Sequence, residues 1–176
     1  HACEAGKYKN TTGPDACTDC GVGKYNPHEN ATSEASCMGC PNRTFANTEG
    51  NAECSLCPKN ASQGDNATYC VCDAGFKKEN EADLSCSACP AGKFSDSTDS
   101  AECEDCDMGY FSEQNGSTTC TKCIQGKYNI ETGQSYCKDC FANAFQPEGS
   151  SVCVCDAGFK QHSTNQEECE ICPAGK

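Results

Sequence analysis

CPAGKF, residues Cys89–Phe94, with the closing run Cys103-Glu104-Asp105-Cys106, is the stretch on which the whole chain is patterned. A cysteine, often a proline, one variable residue, glycine, lysine and an aromatic ring open each loop. After a polar stretch, Cys-x-x-Cys closes that loop and begins the next. CEAGKY (Cys3–Tyr8), CGVGKY (Cys20–Tyr25) and CIQGKY (Cys123–Tyr128) show the same grammar. From Cys3 the steps between cysteines run 14, 3, 17, 3, 14, 3, 13, 2 and 14 to Cys86. After a step of 3 they run again from Cys89, without the three-residue excess between Cys20 and Cys37. Cys37 and Cys120, Cys54 and Cys137, Cys70 and Cys153, and Cys86 and Cys169 are each 83 residues apart. This is a tandem repeat within a tandem repeat. It divides the chain into a five-loop super-repeat at 1–86, a second at 87–171, and the opening of a third at 172–176.

Composition sets the limits of the fold. Leu, Ile, Val and Phe together number 16 of 176 residues and the net charge is −13, a balance that ordinarily leaves a chain disordered. Twenty-one cysteines reverse that reading, because dense cysteine in a chain with little apolar core marks a cross-linked scaffold. A loop of this size closed by a disulfide is stabilised by roughly 3 kcal/mol in the chain-entropy model. Ten bridges take the place of the missing core. The expected fold is therefore a small disulfide-rich tandem repeat, an elongated rod of short β-hairpin loops with almost no helix.

Disulfides at this density require an oxidising compartment. Six N-glycosylation sequons agree with it: Asn10, Asn30, Asn42, Asn60, Asn66 and Asn115. Five of the six lie in the first super-repeat. A secreted or cell-surface glycoprotein is expected, with covalent N-glycans and no cofactor. No run of 18 apolar residues is present, so this segment is not expected to insert in a membrane. The acidic balance, 26 Asp and Glu against 13 Lys and Arg, argues against nucleic acid as a partner.

Gly6, Gly23, Gly92, Gly109 and Gly126 stand three places after an opening cysteine, where a tight turn of positive φ accepts glycine. An aromatic follows as Tyr8, Tyr25, Phe45, Phe94, Phe111, Tyr128 and Phe145, and one place sooner as Phe76 and Phe159. Each ring is expected to pack on a nearby disulfide as a small local core, the alternative being an exposed ladder for stacking on sugars or a partner. Arg43, Asn60 and Asn143 replace the turn glycine. The last two occupy matching loops, which suggests a differently shaped joint once per 83 residues.

The simplest connectivity joins Cys3 to Cys17, Cys20 to Cys37, Cys40 to Cys54, Cys57 to Cys70, Cys72 to Cys86, Cys89 to Cys103, Cys106 to Cys120, Cys123 to Cys137, Cys140 to Cys153 and Cys155 to Cys169. It leaves Cys172, whose partner is expected beyond Lys176, and a cysteine is expected immediately before His1. The competing ladder joins first to first and second to second across adjacent pairs. With five pairs per super-repeat it would change frame between copies, whereas nearest-neighbour pairing keeps them equivalent; sequence leaves both open. A zinc tetrathiolate shares the Cys-x2-Cys spacing. The sequons, the Cys-Val-Cys variants at Cys70/Cys72 and Cys153/Cys155, and the unbroken array all speak against it.

CPAGKF with its Cys-x-x-Cys, and CVCDAGF at Cys70–Phe76, resemble the ephrin-receptor-like cysteine-rich repeat, and more distantly the modules of tumour-necrosis-factor receptors. The resemblance implies an extracellular disulfide-stapled rod. Alternating loops of these two kinds also look like surface and fibrous glycoproteins of algae and other protists, including flagellar-hair (mastigoneme) proteins.

Two functions follow from different classes. The first is structural, a rod segment of a filament, wall or coat in which each loop touches only its neighbours. It would self-associate or join other extracellular structural proteins; ten loops about 10 Å apart would span roughly 100 Å. The second is a receptor or adhesin ectodomain. It would recognise its ligand through the longer loop Gly21–Ser36 or the rings Tyr110, Phe111, Tyr136, Phe141 and Phe145. No enzyme is expected: His1, His28 and His162 have no recognisable nucleophile partner and the cysteines belong to the framework. Weak calcium binding would fall to Glu102, Glu104, Asp105 and Asp107, which lack the spacing of a dedicated calcium loop.

Overall fold

In the computed structural model, which describes residues 2–11, 13–80, 85–146, 149–162 and 168–173, ten disulfides close ten consecutive loops. They join Cys3–Cys17, Cys20–Cys37, Cys40–Cys54, Cys57–Cys70 and Cys72–Cys86, then Cys89–Cys103, Cys106–Cys120, Cys123–Cys137, Cys140–Cys153 and Cys155–Cys169. These are loops 1 to 10. The sulfurs that a tetrathiolate would use are thereby held in S–S bonds; Cys172 carries a free thiol.

Each loop contains one short antiparallel hairpin. Its first strand follows the turn, as the lysine–aromatic pair in loops 1, 2, 6 and 8, and its second lies at the x-x of Cys-x-x-Cys. Lys7 thus faces Asp19 and Tyr8 faces Thr18. Lys93 faces Asp105 and Phe94 faces Glu104, and Lys127 faces Asp139 and Tyr128 faces Lys138. Where Cys-Val-Cys replaces Cys-x-x-Cys, the cysteines themselves enter the strand: Ala61 faces Cys72 and Gln63 faces Cys70. Strands run two to five residues, and among the described residues the helical structure consists of two 3-10 turns, Glu34–Ser36 and Asp65–Ala67.

The same backbone bond shuts every loop. The N–H that opens the next module donates to the carbonyl of the turn residue at 2.8–3.0 Å, from Cys20 to Gly6 through Cys106 to Gly92 to Cys172 to Gly158. In the Cys-Val-Cys loops the donor is the following aspartate, Asp73 to Asn60 and Asp156 to Asn143. The turn residue is left-handed throughout. Arg43, Asn60 and Asn143 have φ of 63°, 60° and 60°, in the same region as Gly6 at 84° and Gly92 at 87°. This overturns the differently shaped joint: asparagine tolerates left-handed backbone, and the loop closes around it unchanged.

Backbone bonds also join loop to loop. The turn N–H donates to the residue after the next loop's aromatic: Gly6 to Asn26 (2.7 Å), Gly23 to Ala46 (2.8 Å), Gly92 to Ser112 (2.8 Å), Gly109 to Asn129 (3.0 Å). That residue's own N–H donates onward, Asn26 to Asn51 and Ser112 to Gln134. Contact extends one loop further. A Cβ on Gly6 would lie 2.0 Å from the Gly50 carbonyl oxygen, and one on Gly92 would lie 2.0 Å from that of Gly133. Loops 1 and 3, and loops 6 and 8, therefore meet, so a loop touches more than its immediate neighbours.

The position after the aromatic is consequently the most buried. Asn26, Ala46, Ser95, Ser112, Asn129 and Gln146 are all enclosed, beside the opening cysteines Cys3, Cys20, Cys72, Cys89, Cys106 and Cys123. Buried amides need partners. Asn26 Nδ2 donates to Lys7 O at 3.1 Å and Asn129 Nδ2 to Tyr110 O at 3.0 Å. Ser95 and Ser112 instead donate within their own loops, to Ser100 and Ser117. Of the rings, Tyr128 is buried, Phe145 is exposed, and Tyr8, Tyr25, Phe45, Phe76, Phe94, Phe111 and Phe159 are half-buried.

The chain gathers into two compact units, His1–Asp73 with Lys78–Ser87, and Ala74–Lys77 with Ala88–Lys176. In the first, loops 1 to 4 follow one another by the bonds described. In the second, Gly75 donates to Ser95 at 2.8 Å and accepts from Cys89 at 2.9 Å, and loops 6 to 10 continue the pattern.

Gly92→Ala meets both a left-handed backbone and the Gly133 carbonyl, and is expected to cost at least about 1–3 kcal/mol. Gly21→Ala, where a Cβ meets nothing within 4 Å, is expected to change stability by under about 0.5 kcal/mol. Denaturant unfolding with the disulfides intact measures both, and equal values would refute the close passage of loop 8 over loop 6.

Candidate functional surface

The surface is patterned by loop tips. In loops 2, 3, 4, 6, 7, 8 and 9 one tip residue has positive φ: Asn30 (58°), Gly50 (76°), Asn66 (53°), Asp99 (58°), Gly116 (79°), Gly133 (71°) and Gly149 (76°). The tip N–H donates to the opening cysteine of the preceding loop, as in Asn30 to Cys3, Gly50 to Cys20, Gly116 to Cys89, Gly133 to Cys106 and Gly149 to Cys123, at 2.7–2.9 Å. Left-handed backbone favours glycine, then asparagine and aspartate, which is why these residue types recur there.

The lysine of the Gly-Lys-aromatic motif serves the framework. Lys7 pairs across the hairpin with Asp19 at 3.0 Å, Lys93 with Asp105 at 2.7 Å, and Lys127 with Asp139. A Cβ on the tip Gly50 would lie 2.6 Å from Asp19 Oδ1, and one on Gly133 would lie 2.7 Å from Asp105 Oδ1. The Lys7–Asp19 and Lys93–Asp105 pairs thus back the tip of the next loop but one. Exposed pairs of this kind contribute about 0–1 kcal/mol, so their main effect is on register. The hydrogen bond to Asp19, with its charge, holds the Lys7 ammonium above the usual lysine range. In the last hairpin, the hydrogen bond from Lys160 holds the Glu170 carboxyl below the usual glutamate range, and the charges of Lys160 and His162 act in the same direction.

The candidate sites fall as follows. Asn10, Asn30, Asn42, Asn66 and Asn115 are exposed and Asn60 is half-buried. The side-chain oxygen of Asn115 accepts from the Ala91 N–H at 2.9 Å. The long loop Gly21–Ser36 carries tip Asn30 and then the Glu34–Ser36 turn, capped by Ser33; Lys24 pairs with Glu34 at 3.6 Å. The rings proposed as a binding cluster are distributed over three loops, Tyr110 and Phe111 in loop 7, Tyr136 in loop 8, Phe141 and Phe145 in loop 9. Tyr136 and Phe145 are the exposed ones. Glu102, Glu104, Asp105 and Asp107 all face solvent, and Lys93 takes Asp105. His28 is exposed, His162 lies 3.9 Å from Glu170, and His1 lies outside the described residues.

The tip position and the middle position were the features that sequence reasoning missed. The tips had a signal: Gly50, Gly116, Gly133 and Gly149 each stand four places before a closing cysteine.

With this geometry, loops 6 to 8 present the motif most regularly, Gly92, Gly109 and Gly126 at the turns and Gly116 and Gly133 at the tips. A family model described as tyrosine-protein kinase ephrin type A/B receptor-like matches residues 92–135. That stretch is one quarter of the chain. No curated protein matches the sequence. The chain is thus a tandem of disulfide-bonded cysteine pairs, similar over residues 92–135 to the ephrin-receptor-like family, and disulfides at this density point to an extracellular or cell-surface location. Among the described residues no helix is long and apolar enough to cross a membrane.

Since the Glu170 carboxyl is depressed in the folded state, its pairing stabilises the last hairpin above the ordinary glutamate range. That contribution is lost as pH falls through the folded-state value. Carboxyl NMR is expected to show the Glu170 midpoint moving upward in Lys160→Met; a midpoint that stays in place would refute the pairing.

Proposed function

We propose that the protein is a structural extracellular glycoprotein, a rod-like segment of a filament, flagellar hair of the mastigoneme type, wall or surface coat. The observation that carries this reading is the uniformity of the loops: one closing hydrogen bond, at 2.8–3.0 Å, recurs in all ten. A regular repeat presents a regular surface, and regular surfaces assemble laterally or helically with copies of themselves or with similar chains. The building unit in this reading is the five-loop super-repeat, 1–86 and 87–171. It is a scaffold without an enzymatic step. N-glycans are its covalent modification, and calcium binding is at most an accessory of the acidic face.

The alternative is the ectodomain of a receptor or adhesin. The receptor-like description of the matching family and the exposed Tyr136 and Phe145 support it.

Electron microscopy of unreduced material from its natural source separates the two. The structural reading expects ordered filaments with an axial repeat commensurate with one or two super-repeats; dispersed single molecules would refute it and leave the receptor reading.

A further inference from the structure

Beside the tip of loop 4 lies a cleft of about 620 Å³ lined by Val22, Gly23, Lys24, Asn66, Ala67 and Thr68, among others, within the size range of small-molecule sites. Asn66-Ala67-Thr68 is a sequon. We propose that Asn66 carries an N-linked glycan whose first N-acetylglucosamine lies in this cleft. The inference rests on the extracellular glycoprotein reading.

Three observations support it. The first is that the backbone under Asn66 is fixed. Asn66 and Ala67 are both left-handed, at 53° and 58°, and the Ala67 carbonyl accepts from the Ala46 N–H at 2.9 Å. The Asn66 carbonyl oxygen lies so close to Gly23 that a Cβ there would be 1.9 Å from it. The backbone that bears the attachment point is therefore held at the cleft. The second is that loop closure does not require the side chain, since glycine holds the same tip position in loops 3, 7, 8 and 9. The third is the lining. Val22, in the cleft wall, is 49% exposed, and the apolar face of a sugar ring removes such a side chain from water. The hydroxyls and N-acetyl group are left for Lys24 and solvent. Asn30 repeats the arrangement on a smaller scale, at a left-handed tip lining a cleft of about 330 Å³ with Lys9 and Thr32.

The modification forms a bond between Asn66 Nδ2 and the anomeric carbon of N-acetylglucosamine. The amide loses a proton, and the pyrophosphate of a lipid-linked oligosaccharide donor leaves with the electrons of its bond to that carbon. No oxidation or reduction occurs.

The test uses the full chain secreted from a eukaryotic host, with its glycans trimmed enzymatically to the first N-acetylglucosamine. The comparison is Asn66→Gly, which keeps a residue suited to the left-handed tip. Thr68→Ala, which abolishes the sequon and retains Asn66, is the second comparison should the glycine variant misfold. Expected are a single hexosamine on Asn66 by mass, nuclear Overhauser contacts from the sugar to the Val22 methyls, and amide exchange at Gly23 slowed at least about threefold relative to the variant. A sugar on Asn66 without those contacts, with Gly23 exchanging as in the variant, would overturn the inference. An unmodified Asn66 beside a modified Asn10 would also overturn it and leave the glycoprotein reading standing. No sugar at any of the six sequons would remove that reading, and the inference with it.

Discussion

A left-handed residue three places past the opening half-cystine organises each loop. Its carbonyl receives the N–H that begins the next module, as Gly6 does from Cys20 and Asn60 from Asp73. In Gly6, Gly23, Gly92 and Gly109 its N–H reaches the middle of the following hairpin. One backbone conformation thus closes a loop and docks its successor. The disulfide fixes the loop's ends so that this residue is always in place. In a chain with so few large apolar side chains, satisfied backbone polar groups enclosed between loops and half-cystines take the role of a hydrophobic core.

The interior that results is polar. In Asn26, Ala46, Ser95 and Ser112 the carbonyl serves the loop before and the N–H the loop after, which encloses the residue whatever its side chain. Asn26, Ala46, Ser95, Ser112, Asn129 and Gln146 share that place with no common chemistry. Asn26 and Asn129 find partners backward in the preceding hairpin, Ser95 and Ser112 within their own loops, and Gln146 Oε1 has no partner among the described residues.

These facts explain what was legible in the sequence. Cysteine spacing marked the loops, and glycine marked the turns, because each residue type answers a covalent or conformational demand that few others meet. Burial was read from hydrophobicity, whereas beside Phe94 and Phe111 the fully enclosed residue is the next one, Ser95 and Ser112. Hydrogen bonding from two sides sets burial here, and it leaves no compositional trace. Arg43, Asn60 and Asn143 looked like departures because the residue type changed, while the φ stayed in the same region. The tip asparagines Asn30 and Asn66 read only as sequons until their backbone placed them among the tip glycines. Contacts from one loop to the next but one depend on three-dimensional stacking, for which spacing along the chain carries no sign.

The position of the disulfides has a mechanical consequence. Each bridge holds its half-cystines 5.5–5.8 Å apart at Cα, so tension on the chain runs across the S–S bond and bypasses the loop it closes. Only the two- or three-residue links between loops can be drawn out, to about 11 Å for three residues. From Cys3 to Cys169 ten loops pulled taut would reach about 150 Å, where the same stretch unbridged would reach about 570 Å. The molecule is a tether with a hard stop: its loops can lose every hydrogen bond under load without lengthening it further, and can re-form from ends that were never separated.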